Sequence, residues 1–358
     1  MADRRSFLAG IVAAGLCPRT TWAEAGSPAF LSAGLKPSGA YVLCGLSARG
    51  RVLFELPLPA RGHAAAAHPD RAEAVAFARR PGTFALVIDC VTGQQKATLT
   101  APDGRHFYGH GAFSADGALL YTAENDFEAA QGVIGIWDAR GGYRRLGEFA
   151  SGGVGPHDIK LMPDGETLVV ANGGIETHPD SGRTKLNIPT MRPSLAFLGV
   201  DGGLRQAITL EPELHKNSIR HLAVAPDGTV AFAMQWQGDL GAHPPLLGLC
   251  RRDRTVALLR AGDDAHTRMA GYAGSVAISG DGAQVAITSP RGGLCQIFDL
   301  RAETPLGTVE IEDVCGLAPN GAGFELTSGI GQVAGFAAGR ETPQETHAIR
   351  WDNHLILI

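Results

Sequence analysis

A turn that recurs six times constrains this chain more than any other feature. Asp70, Asp116, Asp164, Asp227, Asp281 and Asn320 are each followed by glycine or preceded by proline, next to a short apolar run. Aspartate and asparagine accept hydrogen bonds from backbone two or three residues on, and glycine supplies the positive φ of a tight turn. The six turns stand 46, 48, 63, 54 and 39 residues apart. One four-stranded blade of a β-propeller takes roughly 40–50 residues. The spacing therefore predicts one blade per turn, with an insertion in the long third interval.

The unit around Asp116 shows the blade most clearly. Residues 111–114, 118–123, 133–137 and 143–149 read as strands a to d, joined by turns at 115–117 and 139–142. The ends complete the ring. Residues 29–32, 40–44 and 52–56 make three strands with no first strand before them, and 354–358 make one apolar strand after the last unit. One strand plus three makes a seventh blade. The predicted fold is all-β: a single seven-bladed β-propeller over residues 26–358, its first blade closed by the C-terminal strand. Closure removes the open sheet edges that invite aggregation. A two-domain β-sandwich accounts for neither the regular units nor the orphan strands. The 48 glycines and 21 prolines suit a chain with many turns.

Charge excludes some partners. The net charge is −5, and only five of the 31 basic residues are lysines, so there is no basic stripe for nucleic acid and no polybasic membrane patch. Arg4-Arg5-Ser6-Phe7-Leu8, the apolar stretch 9–16 and the small-residue site Ala23-Glu24-Ala25 resemble a twin-arginine export signal over residues 1–25. That predicts a periplasmic protein. The apolar stretch is too short to span a membrane, and Leu16 before Cys17 argues against a lipoprotein, so no stable membrane anchor is expected. Cys44, Cys90, Cys250, Cys295 and Cys315 form no CxxC pair and read as buried strand residues, with one disulfide at most. A closed propeller needs no second copy to bury its core, which predicts a monomer.

Aligning the repeats on their turns gathers the histidines. His63, His157 and Arg220 stand seven residues before a turn, and His110, Asp158 and His221 stand six before. All open strand a, so they should ring one mouth of the central channel, the upper one. The C-terminal strand adds Asp352, Asn353 and His354 at the same place. Residues 172–194 join strands b and c of blade four on that face. Three prolines and several apolar residues predict an ordered cap, carrying Glu176, His178, Arg183, Lys185 and Arg192. The b–c loops Glu124-Asn125-Asp126 and Gln235-Trp236-Gln237 are expected at the same mouth.

The candidate ligand-binding residues are thus His63, His110, His157, Asp158, Glu176, His178, Arg183, Arg192, Arg220, His221 and His354. Neutral imidazole is a common metal ligand, so a divalent ion on His110, His157 and His221 is one reading. The other is structural: polar side chains bonding the neighbouring blade and closing the ring. The sequence carries no GxSxG elbow, CxxCH haem site, HExxH or phosphate loop, and catalytic residues stay unassigned.

GVGPHDIKLMPDG, the insertion VANGGIETHPDSGRTKLNIPTMRPSL, SIRHLAVAPDGT and the ending WDNH together resemble a family of exported bacterial seven-bladed propellers of unknown function. The resemblance covers nearly the whole chain after the signal. It implies a periplasmic protein whose genes neighbour those of imelysin-like iron-regulated proteins and di-haem thiol oxidoreductase-like proteins, hence a place in iron handling with those partners. The family supplies no catalytic residues to carry over. A non-catalytic binding or assembly protein is the favoured expectation. The alternative is a lactonase-type hydrolase using a channel metal, with His157, Asp158, Glu176 and His178 as its machinery. A third is an electron-transfer partner that docks a haem protein.

Overall fold

The computed structural model describes residues 20–358 apart from 80–82, 183, 253, 338 and 343–344. Seven antiparallel sheets stand in a ring. From blade two to blade seven their innermost strands are Gly62–Ala67, Arg105–Phe113, Pro156–Leu161, Asn217–Val224, Ser275–Ile278 and Val314–Asn320. Blade one takes its innermost strand, Arg350–Leu357, from the C-terminus, where it pairs antiparallel with Phe30–Leu35. Ser32 Oγ donates to the His354 carbonyl at 2.9 Å across that joint. This is the predicted closure. The strand starts earlier than the apolar run suggested, so Asp352 and His354 lie inside the ladder.

The blades hold together face to face. A middle strand such as Thr167–Asn172 is buried along its whole length because both faces of its sheet are covered. The outer strand Arg144–Ala150 alternates half-buried and exposed residues. Tyr108, Tyr121 and Ile134 of blade three pack on Ile159, Leu168 and Val170 of blade four. Each large apolar side chain buried this way contributes about 1.5–3 kcal/mol. The recurrent turns behave as their chemistry dictates. Asp164 Oδ1 accepts from the Glu166 and Thr167 N–H groups at 2.9 Å, and Gly165 adopts φ 69°.

One regularity was not visible in the repeat alignment. Six of the seven innermost strands carry a register shift against their neighbour: between Gly62 and Ala65, Phe107 and Gly111, Pro156 and Asp158, Ile219 and His221, Val314 and Gly316, and opposite Ser32–Gly34 in blade one. Ser275–Ile278 in blade six is regular. A bulge adds a residue on one strand and re-aims the side chains around it. Five of these bulges fall at or beside a channel histidine.

The insertion of blade four carries its own packing and hydrogen bonds. Ile175 and Met191 are buried, and Asn187 bridges its two arms, accepting from Glu176 N–H at 2.8 Å and donating to the Gly174 carbonyl at 3.0 Å. It reaches blade three through Asn125 Nδ2, which donates to the Thr177 carbonyl at 3.2 Å, and blade five through Lys185, bonded to Gln237. The leader reading falls largely on residues 1–19, outside the described residues. Residues 20–25 lie against blade two: Trp22 Nε1 donates to the His68 carbonyl at 2.9 Å, and Ala72 N–H to the Thr20 carbonyl at 3.0 Å. Among the described residues no helix is long and apolar enough to cross a membrane. Cys44, Cys90, Cys250, Cys295 and Cys315 are buried free thiols.

Candidate metal-binding site

His63, His110, His157, His221 and His354 converge in the central channel. Eight pairs of their rings have centroids 4.6–5.7 Å apart. The rings come from blades two, three, four, five and one, so five separate strands supply one cluster. The bulges explain how the two sequence columns merge. Gly109 makes the cluster tight: it sits at φ 101°, and a Cβ there would stand 2.4 Å from His63 Cδ2. Only glycine combines that backbone with that approach.

Two triads have ligand geometry. In His63, His110 and His354, and in His110, His157 and His221, one nitrogen from each residue lies within 4.8 Å of the others. Two imidazole nitrogens on one zinc-like ion, each at about 2.0–2.1 Å, stand at most about 4.2 Å apart. His110 belongs to both triads.

Asp158 organises His110. Its Oδ1 lies 3.1 Å from His110 Nδ1, its Oδ2 accepts from Leu222 N–H at 2.9 Å, and Oδ1 also accepts from Ile159 N–H at 2.8 Å. Burial would raise this carboxyl's pKa. The Lys160 ammonium, 3.5 Å away, and the His110 contact outweigh that and hold it well below the usual range. An ionised Asp158 fixes the His110 tautomer with its proton on Nδ1 and its Nε2 lone pair directed away. A carboxylate behind a ligand histidine is the common outer-shell arrangement of metal sites.

The nitrogens that remain define the chemistry. His63 Nδ1, His110 Nε2, His157 Nδ1, His221 Nδ1 and His354 Nε2 are buried and have no hydrogen-bond partner among the described residues. Burial first, and then the neighbouring imidazoles and, at His157, Arg220, push the pKa values of His63, His157, His221 and His354 well below the ordinary imidazole value. Four of the five rings are therefore neutral at pH 7, the form that binds a metal ion.

Above the cluster is a vestibule of about 140 Å³, reached by His63, His157 and His221 and lined further by Arg79, Tyr108, Arg220, Gln235, Tyr272 and Asn353. Lys185 lies beside Arg220 and Tyr108 in an adjoining recess under the insertion. Burial, and then the Arg220 and Arg291 cations, lower the Lys185 pKa. The Arg291 guanidinium stacks on Tyr272, 4.4 Å from the ring centroid.

The structure brings together only part of the set read from sequence. Arg220 joins the five histidines and Asp158. Arg192 is exposed on the insertion, and Arg183 lies outside the described residues. Glu176 is held at the insertion's base. His178 turns to the rim: its ring meets Phe127 edge-on at 5.0 Å, and its Nδ1 accepts from Asp180 N–H at 3.2 Å, capping a short 3-10 turn. Glu124, expected at the mouth, instead receives a bidentate Arg145 fork at 2.8 and 2.9 Å inside blade three. Gln235 does line the vestibule. Trp236 packs against the core between blades five and six. Arg79, Tyr108 and Tyr272 were missed. Tyr108, two residues before His110 on the same bulged strand, was the one carrying a positional signal.

Comparison with known proteins agrees with this architecture. No curated protein matches. Among solved structures, Kuenenia stuttgartiensis hydrazine synthase superposes with a TM-score of 0.62 at 15% identity, over 88% of this chain and 94% of that chain. Similarity at that identity shows a common fold alone. A family model described as a protein of unknown function, DUF1513, matches residues 56–358, and the chain belongs to that family.

Proposed function

We propose that this propeller is a non-catalytic binding or assembly protein that holds a transition-metal ion on the imidazoles of its channel. The observation that carries the proposal is the set of five buried ring nitrogens without partners, gathered from five blades. A buried polar atom left unpaired costs about 1–3 kcal/mol, and five together would cost much of a typical domain's stability of about 5–15 kcal/mol. Ordered water can meet such a need singly. A metal ion meets several lone pairs at one point. An all-imidazole set suits zinc, copper, nickel or iron over magnesium or calcium.

The resemblance of residues 1–25 to a twin-arginine leader and the family resemblance support work in the periplasm, in iron handling at the cell envelope beside iron-regulated partners. A lactonase-type hydrolase would need a carboxylate or imidazole next to the ion as acid or base. Asp158 is committed to two backbone N–H groups, His110 and Lys160, His178 caps a turn of the insertion, and neither Glu176 nor His178 lines the vestibule. Binding is therefore the better-supported role.

Metal content of the purified chain tests this, with His110→Ala and His157→Ala alongside. The expected result is one bound transition metal per chain, lost in both variants. Metal-free protein of unchanged stability, or variants that lose stability while keeping their metal, would contradict it.

A further inference from the structure

The cluster and the vestibule above it have opposite chemical needs. Imidazole ligands bring no negative charge, so a divalent ion held by them keeps its full charge in a buried channel. The nearest carboxylate, Asp158, is already matched by Lys160 and three hydrogen-bond donors. The vestibule adds more positive charge. Arg79, paired with Asp352, and Arg220 line it, and Lys185 lies beside Arg220 in the adjoining recess. No carboxylate is among the vestibule's lining residues. The charge that a divalent ion would add is costly away from water.

We infer that the vestibule binds a small planar oxyanion of the oxalate or carbonate class, which completes the coordination of the channel ion and is gripped from outside by Arg220. This rests on the metal reading and deepens it: the site takes up an ion together with a chelating anion. Size agrees. About 140 Å³ is room for roughly five waters at about 30 Å³ each, the bulk of four to six non-hydrogen atoms. The lining suits such an anion as well: one oxygen edge would meet the ion beside His157 and His221, and the opposite edge would meet Arg220, whose fork matches a carboxylate. Tyr108, Gln235 and Asn353 supply hydrogen-bonding groups at the sides.

The test uses the full chain stripped of metal and loaded with one equivalent of cobalt(II) in chloride buffer. Radiolabelled oxalate is added, unbound material is removed by gel filtration, and the visible cobalt spectrum is recorded. One oxalate per cobalt should be retained, with a changed spectrum. Arg220→Gln should keep its cobalt while oxalate binding weakens at least tenfold. Lys185→Gln, on the insertion and outside the blades, should weaken oxalate severalfold and serves if Arg220→Gln folds poorly. Cobalt retained with a spectrum indifferent to oxalate, cobalt stripped by oxalate, or full oxalate retention in both variants would overturn the anion site and leave the metal site standing. A wild-type chain that binds no cobalt with or without oxalate would overturn both.

Discussion

His63 and His68 sit five residues apart, at the two ends of the same innermost strand, and both are buried. They differ in how their nitrogens are used. His68 Nδ1 accepts from the Asp70 and Arg71 N–H groups at 3.1 and 3.0 Å, so its proton lies on Nε2, which donates to the Gly117 carbonyl of the next blade at 3.1 Å. Each ring nitrogen is satisfied, and the residue ties blade two to blade three on the far face. His63 leaves Nδ1 without a partner among the described residues, as do four other rings beside it. His266 shows an intermediate case, with Nε2 at 2.8 Å from the Pro244 carbonyl and Nδ1 unpaired, and it belongs to neither histidine triad. Burial does not tell a structural histidine from a ligand. The accounting of both nitrogens, and the company they keep, does.

That contrast can be broken most directly by removing ligands from both triads. His110→Ala combined with His157→Ala should weaken zinc binding by at least a hundredfold in competition titration, with the propeller still folded by circular dichroism. His68→Ala should leave zinc affinity unchanged. A shared loss in both proteins would erase the distinction between the two regions.

Next in size is the residue behind the cluster. Asp158→Asn keeps an oxygen for backbone N–H groups but removes the charge that sets the His110 tautomer. Outer-shell changes of this kind cost about 10–100-fold in metal affinity, and isothermal titration should find a loss in that range. Unchanged affinity would mean that His110 is oriented by its packing alone.

The structural histidine makes its own prediction. His68→Ala strands two backbone donors and a carbonyl, and should cost about 2–3 kcal/mol in reversible denaturation. A loss below about 0.5 kcal/mol would show that the far-face tie is replaced by water.

The smallest effect is in pH. Burial first, and then Arg71, lower the His68 pKa from its ordinary 6.5. The folded state thus binds this proton less readily than the unfolded chain, and the stabilisation is present above about pH 6.5 and lost as pH falls below it. The stability gap between the wild type and His68→Asn should narrow from pH 7 to pH 5. Parallel curves would remove titration at His68 from the account.

The fold was legible because its signals are local. Each Asp-Gly turn carries its own hydrogen-bonding chemistry, and the orphan strands at 29–56 and 354–358 left closure as the simplest topology. The histidines were legible as two columns because counting back from a turn finds strand starts. Their merger into one cluster was not, since a bulge inserts two residues between Phe107 and Gly111, or one between Ile219 and His221, without any composition that marks it. The insertion misled for a related reason. Glu176 and His178 have the residue types of a site, but side-chain direction in a capped loop is set by its surroundings: the His178 ring meets Phe127, which comes from blade three. Arg79 escaped notice because it follows a strand b, away from the columns that were aligned.

X-ray absorption at the metal edge of the zinc-loaded chain tests the central claim most directly. The account predicts one ion per chain whose first shell includes at least three imidazole nitrogens at about 2.0–2.1 Å. A shell of oxygen ligands alone, or no stoichiometric ion, would contradict it.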